Sequence, residues 1–148
     1  MKAEKQKVKV KLHIENIENN GTHIFIDVKL NKIKAKMIVD TGASKSVLDL
    51  NFLKNNHLFN ETLMEGTQDE AVGIGAEKIA TFLYEVKNFS FGKTKLKNMK
   101  MVVLDLTHIN QSYELVGLKH IDAILGGDFL EKYEATISYK KSELSFYI

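Results

Sequence analysis

The 148 residues of this chain are enough for one domain with a sizeable hydrophobic core and too few for two comfortable ones. With 21 Lys against 19 Asp and Glu, the net charge is near +2, so neither sign of charge dominates. The absence of Cys excludes disulfides, thiolate catalysis and Cys-bound zinc. We expect a single domain over residues 1–148, in which residues 1–7 form a basic tail that is disordered or leads into the first strand.

No apolar run approaches the length of a membrane span, and the N-terminus lacks the apolar core of a signal peptide. We therefore expect a cytoplasmic, soluble chain with no membrane partner. A chain that had lost its signal peptide would look the same, so a secreted or periplasmic location stays open.

The lysine-rich N-terminus predicts the first strand. From Lys7 to Ile14, lysines alternate with Val8, Val10 and Leu12, and this pattern favours a strand with one solvated face over a basic arm for phosphates. A nucleic-acid-binding β domain would rest on these lysines alone, without an aromatic platform beside them. We expect no nucleic-acid partner.

Alternating apolar segments predict three hairpins in a mostly β chain. The paired segments are 22–30 with 33–39, 79–91 with 96–106, and 135–139 with 144–148. Short helices are predicted at about 49–56, with Asp49 as the N-cap, and around 128–133. Residues 107–120 have no clean period, which predicts an extended loop or insertion.

Two parts of the chain resemble each other weakly. Residues 37–42 and 123–128 each combine an apolar strand end, a Gly-containing turn and a following helical pattern. This repetition indicates two related half-folds.

The pentapeptide 40–44, Asp-Thr-Gly-Ala-Ser, places an acid directly after an apolar strand and turns the chain at Gly42. Backbone N–H groups of such a turn can hold the carboxylate of Asp40. Taken alone, the pattern also fits an Asp that only caps a turn. Hydrolysis of a peptide needs one group that takes a proton and another that gives one, so Asp40 requires a second acid.

These residues carry a family resemblance. Residues 37–44, Met-Ile-Val-Asp-Thr-Gly-Ala-Ser, resemble the catalytic loop of retropepsins, the retroviral type of aspartic protease, and residues 124–128, Ile-Leu-Gly-Gly-Asp, resemble their second signature. The resemblance to bacterial and cellular single-domain members extends over about residues 8–148. It implies a closed, retropepsin-like acid protease β fold.

The resemblance further implies a homodimer, because the chain has one Asp-Thr-Gly where pepsin-like enzymes of twice this length have two. Asp40, Thr41 and Gly42 are the implied catalytic residues, and the second acid is the partner's Asp40. The substrate is expected to be a peptide or protein. No cofactor is expected, and no metal, since none of the five His forms a pair at the helical spacing of metal ligands.

Substrate binding is implied for Ala43 and Ser44 of the same loop and for the glycine-rich tip of a mobile flap, Gly73, Ile74 and Gly75. A plain hairpin turn at 73–75 and a helix-entry hydroxyl at Ser44 stay as alternatives.

The chain departs from the retroviral pattern at Gly127, where retroviral enzymes usually carry Arg. It contains no Arg, so the ionic contact of that residue is missing. Asp128 is expected to cap the second helix rather than to join the chemistry. The apolar C-terminal segment 144–148 is expected to be buried in a partner chain, since an exposed apolar edge invites aggregation. The rival hypothesis to an endopeptidase is a catalytically silent dimerisation or peptide-binding module with the same fold.

Overall fold

The structure, a computed structural model, describes residues 4–17, 21–59, 65–66, 71–72, 78–79 and 82–148. Its strands are β1 (Lys7–Lys11), β2 (His13–Ile17), β3 (Gly21–Leu30), β4 (Ile33–Val39), β5 (Val47–Asp49), β6 (Glu65–Gly66), β7 (Ala71–Val72), β8 (Lys78–Ile79), β9 (Phe82–Phe91), β10 (Thr94–Leu104), β11 (Ala123–Leu125), β12 (Thr136–Ser138) and β13 (Glu143–Tyr147). Its helices are α1 (Leu50–Asn55), α2 (Thr107–Leu115) and α3 (Gly127–Lys132). None of the helices in these ranges is long and apolar enough to cross a membrane.

Six strands close into a barrel. They pair in the order β3, β4, β11, β5, β10 and β9. The β3–β9 pairing, at Lys29 with Ser90 and Leu30 with Phe89, joins the two ends of this series. The predicted closed, mostly β fold is therefore confirmed.

The barrel interior follows from the alternation along the strands. On β3, Ile24, Ile26, Val28 and Leu30 are all buried in the main core. Full burial of an aliphatic side chain of this size stabilises the fold by roughly 1.5–3 kcal/mol. Phe25, on the opposite face of β3, belongs to a second apolar cluster that α2 covers. This second cluster lies beside the end of β4, where the candidate catalytic loop begins.

The three predicted hairpins are present. Asn31 and Lys32 connect β3 to β4 with φ values of 48° and 71°, the left-handed conformation that a tight two-residue hairpin turn requires. Gly92 has a φ of 61° in the turn between β9 and β10. The hairpin of β12 and β13 closes the described chain. Asp49 caps α1 by accepting the N–H of Asn51, as predicted.

The single strand predicted over 7–14 is wrong in one respect, because the segment forms two strands in different sheets. β1 pairs with β13, whereas β2 pairs with β3 of the barrel. Leu12, between them, is buried and donates its N–H to the carbonyl of Ser142. Apolar and polar residues alternate through Leu12 without interruption, so the sequence pattern does not show where the chain passes from one sheet to the other.

The loop predicted over 107–120 contains a helix, α2. The sequence did not predict this helix because only Asn110 and Tyr113 of it are buried, so it lacks a repeating apolar face. The side chain of Asn110 is held in the interior by two hydrogen bonds. Its amide donates to the carbonyl of Ile121 at 3.1 Å, and its Oδ1 accepts the N–H of Ile121 at 2.8 Å. A buried amide with both groups satisfied is compatible with a core position.

The terminal strands form a small sheet within one chain. β13 lies between β1 and β12, and Leu144, Ser145 and Phe146 are buried there. Both edges of β13 are therefore occupied, and the expectation that this strand needs a partner chain to cover it is wrong. Among the residues that the structure describes, the two outer strands of this sheet, β1 and β12, each have one edge that no strand pairs with.

Candidate active site

The candidate catalytic carboxylate lies at the end of β4. Asp40 donates its N–H to the carbonyl of Leu125 at 3.0 Å, which continues the parallel pairing of β4 with β11 by one residue. Its Oδ1 accepts the N–H of Gly42 at 2.9 Å, and its carbonyl accepts the N–H of Ala43 at 3.2 Å. The residue is exposed. The loop thus presents an oriented carboxylate at the surface of the barrel.

The second signature, residues 124–128, packs closely against the backbone of this loop. Gly127 donates its N–H to the carbonyl of Ala43 at 2.7 Å. A Cβ on Gly126 would lie 2.7 Å from the carbonyl oxygen of Ala43 and 2.8 Å from both the carbonyl carbon and oxygen of Lys45. Since these neighbours are backbone atoms, only glycine fits at position 126.

A buried hydroxyl and a carboxylate join the two signatures. Ser46, only 1% exposed, donates its hydroxyl to Oδ1 of Asp128 at 2.7 Å and its N–H to Oδ2 at 3.0 Å. The same hydroxyl accepts the N–H of Gly126 at 3.0 Å. Asp128 also accepts the N–H of Phe129 at 2.8 Å. The predicted capping role of Asp128 needs correction, because the N-cap of α3 is Gly126 and Asp128 lies in the first turn.

A cavity of about 490 Å³ adjoins the loop. Asp40 and Thr41 line it together with Tyr113 of α2, His23 of β3 and Tyr139, which follows β12. The Tyr113 hydroxyl lies 3.3 Å from Nδ1 of His23, and their rings meet edge to face. Burial raises the pKa of Tyr113, and the negative charges of Asp40 and Glu15 raise it further. The Tyr113 hydroxyl is therefore neutral at physiological pH and available for hydrogen bonding.

The predicted site residues fall into two groups. Thr41, Gly42 and Ser44 are exposed beside Asp40, and Ala43 is partly buried because its carbonyl contacts the second signature. The predicted flap tip, Gly73, Ile74 and Gly75, lies outside the described residues.

Sequence reasoning missed four features of this region: Ser46, the covering helix α2, and the cavity residues His23 and Tyr113. One signal for Ser46 was a hydroxyl at the start of an otherwise apolar segment, Val47-Leu48, that leads into α1. For Tyr113 the signal was a single aromatic residue in a polar stretch. No local pattern linked His23 to the loop, since it is brought there by the pairing of β3 with β4.

Comparisons with known proteins show the family and the fold of this chain. A profile of the aspartyl protease family matches residues 26–129, more than half of the chain. Protein DDI1 homolog 1 of Caenorhabditis elegans is 26% identical over 126 residues, which cover 84% of this chain and 28% of that protein. The chain thus spans a little over a quarter of the length of that relative.

Three solved structures share the fold. A retropepsin-like aspartic protease from Rickettsia conorii has a TM-score of 0.59 at 23% identity, covering 97% of this chain and 92% of that one. The retroviral protease-like domain of Ddi1 from Leishmania major has a TM-score of 0.55 at 16% identity, covering 82% and 86%. The EIAV protease in complex with the inhibitor HBY-793 has a TM-score of 0.51 at 23% identity, covering 77% and 90%. With the profile match across both signatures, they identify the chain as a retropepsin-like member of the aspartyl protease family.

Proposed function

We propose that this chain is one subunit of a homodimeric aspartic endopeptidase whose catalytic site forms where two copies of Asp40 meet. The observation that carries the proposal is the exposed carboxylate of Asp40, oriented by the N–H of Gly42 and facing a cavity that can receive a peptide. The family membership and the printed names of the structural neighbours, two of them proteases, support the same chemistry.

A second chain supplies what one subunit lacks. Only one Asp-Thr-Gly occurs in the sequence, and acid–base hydrolysis needs a second proton-transfer group. Two surfaces beside Asp40 are suited to a symmetric contact: Thr41 and the segment from β12 to Tyr139. Tyr139 is 58% exposed, and in the described part of the chain no strand pairs with the outer edge of β12. A two-fold axis near Asp40 would bring two such edges together and cover this apolar surface.

The chemistry then requires no covalent enzyme intermediate. Two carboxylates that share a site cannot both be ionised cheaply, so the pair holds one proton. The ionised carboxylate takes a proton from water while the water oxygen attacks the carbonyl carbon of the substrate, and the protonated carboxyl gives its proton to the carbonyl oxygen. The tetrahedral diol collapses when the carboxyl that took the proton of water gives it to the amide nitrogen and the other carboxylate takes a proton from a diol hydroxyl. The C–N bond then breaks, the amine leaves, and the pair again holds one proton. The Gly42 N–H keeps Asp40 oriented through these steps.

The replacement Asp40→Asn tests the chemistry. It preserves shape but removes the base, so cleavage of a peptide library should fall by at least about 10²–10⁴-fold. The circular dichroism spectrum and the oligomeric state should remain those of the parent. A catalytically silent binding module would instead show no cleavage even as the parent chain while still binding a statine-type transition-state mimic. Cleavage by the variant near the parental rate would contradict the assignment of Asp40.

Subunit exchange tests the dimer separately. When an equal amount of Asp40→Asn chains is mixed into parent enzyme, random pairing leaves about half of the parent chains in parent dimers, so activity should fall to about half. Activity should also fall on dilution below the dimer dissociation constant. Unchanged activity after exchange verified by mass-labelled subunits would show that each chain holds a complete site.

A further inference from the structure

A second cavity, of about 610 Å³, lies on the barrel exterior and shares no lining residue with the cavity beside Asp40. Four lysines face it, together with a serine and two aspartates. These polar lining residues are Lys29, Lys34, Lys36, Lys119, Ser90, Asp27 and Asp122. We call this the lysine cavity. Its lining has four Lys against two Asp, whereas the whole chain has 21 Lys against 19 Asp and Glu.

The sheet register places two of these lysines, Lys29 and Lys34, in one row with Ser90. Lys34 of β4 lies directly opposite Lys29 of β3, Lys29 lies opposite Ser90 of β9, and Ser90 lies opposite Lys95 of β10. Directly opposed residues share a face of the sheet, and neighbouring strands are about 4.8 Å apart. Two like charges directly opposite each other destabilise a sheet. The Lys29–Lys34 pair is therefore a local cost that a bound anion would offset.

The two acids at this cavity contact groups other than Lys29, Lys34 and Lys119. Asp27 lies 2.9 Å from Nε2 of His13, and Oδ2 of Asp122 accepts the N–H of Lys36 at 2.8 Å.

One of the four lysines forms an ion pair with a carboxylate, and the other three form none among the residues that the structure describes. Lys36 pairs with Glu15 at 3.0 Å. By contrast, no carboxylate in the described ranges forms an ion pair with Lys29, Lys34 or Lys119. The cavity therefore combines three such ammonium groups with the Ser90 hydroxyl.

We propose that the lysine cavity binds a compact anion carrying two or more phosphoryl groups, held by Lys29, Lys34 and Lys119 with Ser90 as a neutral donor. Ammonium groups act as point charges with several donors each, which suits the closely spaced oxygens of linked phosphates. A concave site of this volume fits a small ligand better than a flat contact with a polymer does. The proposal does not depend on the activity of Asp40.

Calorimetric titration of the full chain with tripolyphosphate at constant ionic strength tests the site. Saturable binding with a stoichiometry of one per chain is expected, and inorganic phosphate should bind at least about tenfold more weakly because it engages fewer ammonium groups. ATP in a parallel titration distinguishes a nucleotide from a free polyphosphate as the source of the phosphoryl groups. A hexaglutamate peptide that binds as tightly as tripolyphosphate would overturn the phosphoryl assignment.

Two double variants that remove the same amount of positive charge distinguish binding at the lysine cavity from nonspecific electrostatic attraction of the anion to the chain. Lys29→Gln with Lys34→Gln should weaken tripolyphosphate binding by at least about tenfold, whereas Lys140→Gln with Lys141→Gln, in the exposed turn after β12, should change it by less than about twofold. Equal weakening by both pairs, or no saturable binding by the parent chain, would overturn the proposal.

Folding is checked by thermal unfolding without anion. The Lys29/Lys34 variant should unfold no lower than the parent because a like-charge pair is removed. If it fails to fold, Lys119→Gln, outside the sheet, provides the same test. That single variant should weaken tripolyphosphate binding by about threefold or more, and unchanged binding would again contradict the proposal.

Discussion

The ends of β4 and β11 lie side by side in parallel register, yet the two chain segments that follow them have opposite roles. After β4, Asp40 is exposed and its carboxylate is held by one N–H at the loop surface. After β11, Gly126 is buried and the half-buried carboxylate of Asp128 accepts a hydrogen bond from the buried Ser46 hydroxyl. One strand end thus presents the candidate catalytic carboxylate, and the segment after the other supports the backbone of its loop. The difference shows that similar local sequences diverge in function according to what packs on them.

The largest effect is expected from a substitution that disrupts the close backbone contact between the segments after β4 and β11. Gly126→Ala would place a methyl group against backbone atoms at 2.7–2.8 Å, and we expect it to lower the free energy of unfolding by about 3 kcal/mol. Gly127→Ala is the matched control, because its added Cβ would lie 3.5 Å from the nearest atom, the Ala43 carbonyl oxygen. It should change stability by no more than about 1 kcal/mol. Urea unfolding measures both, and equal losses would show that position 126 is not sterically special.

A smaller effect is expected from removing the hydroxyl that joins the two signatures. Ser46→Ala leaves the N–H of Gly126 and one oxygen of Asp128 without their buried partner, so stability should fall by about 2 kcal/mol. The rate of peptide cleavage should fall as well, because the Asp40 loop loses its support. Ser44→Ala, on the exposed part of the same loop, should leave urea unfolding unchanged. A Ser46→Ala protein as stable as the parent would mean that the Asp128 contact contributes nothing.

The smallest effect concerns the opposite end of the same pair of strands, where Asp122 accepts the N–H of Lys36. Burial raises the pKa of Asp122 in the folded protein, so its favourable contribution to stability is present at low pH and is lost as pH rises through that pKa. Asp122→Asn removes this loss. The stability of the variant relative to the parent should therefore increase from about pH 3.5 to pH 7, as measured by urea midpoints. A constant or decreasing difference would contradict the raised pKa.

Much of the barrel was accessible from the sequence, since its signals are local. Alternating apolar residues predict β3, β4, β9 and β10, and the turn residues Asn31-Lys32 and Gly92 predict where the chain reverses. The acid after an apolar strand and before a glycine predicts the Asp40 loop in the same way. Helix α2 was not predicted because its buried residues are Asn110, which is held by hydrogen bonds, and Tyr113. Two such residues do not produce the repeating apolar pattern of an amphipathic helix.

The sequence by itself determined the family signatures, the hairpins and the place of Asp40 at a strand end, because each depends on residues adjacent in the chain. Only the tertiary structure determined which distant residues contact each other around the Asp40 loop. Ser46 meets Asp128 over a separation of 82 residues, and His23 meets Tyr113 over 90. It also decided that β13 is covered within its own chain, by β1 from the N-terminus and by β12. Such pairings depend on barrel closure and strand order, which bring distant side chains together without any periodic trace in the sequence.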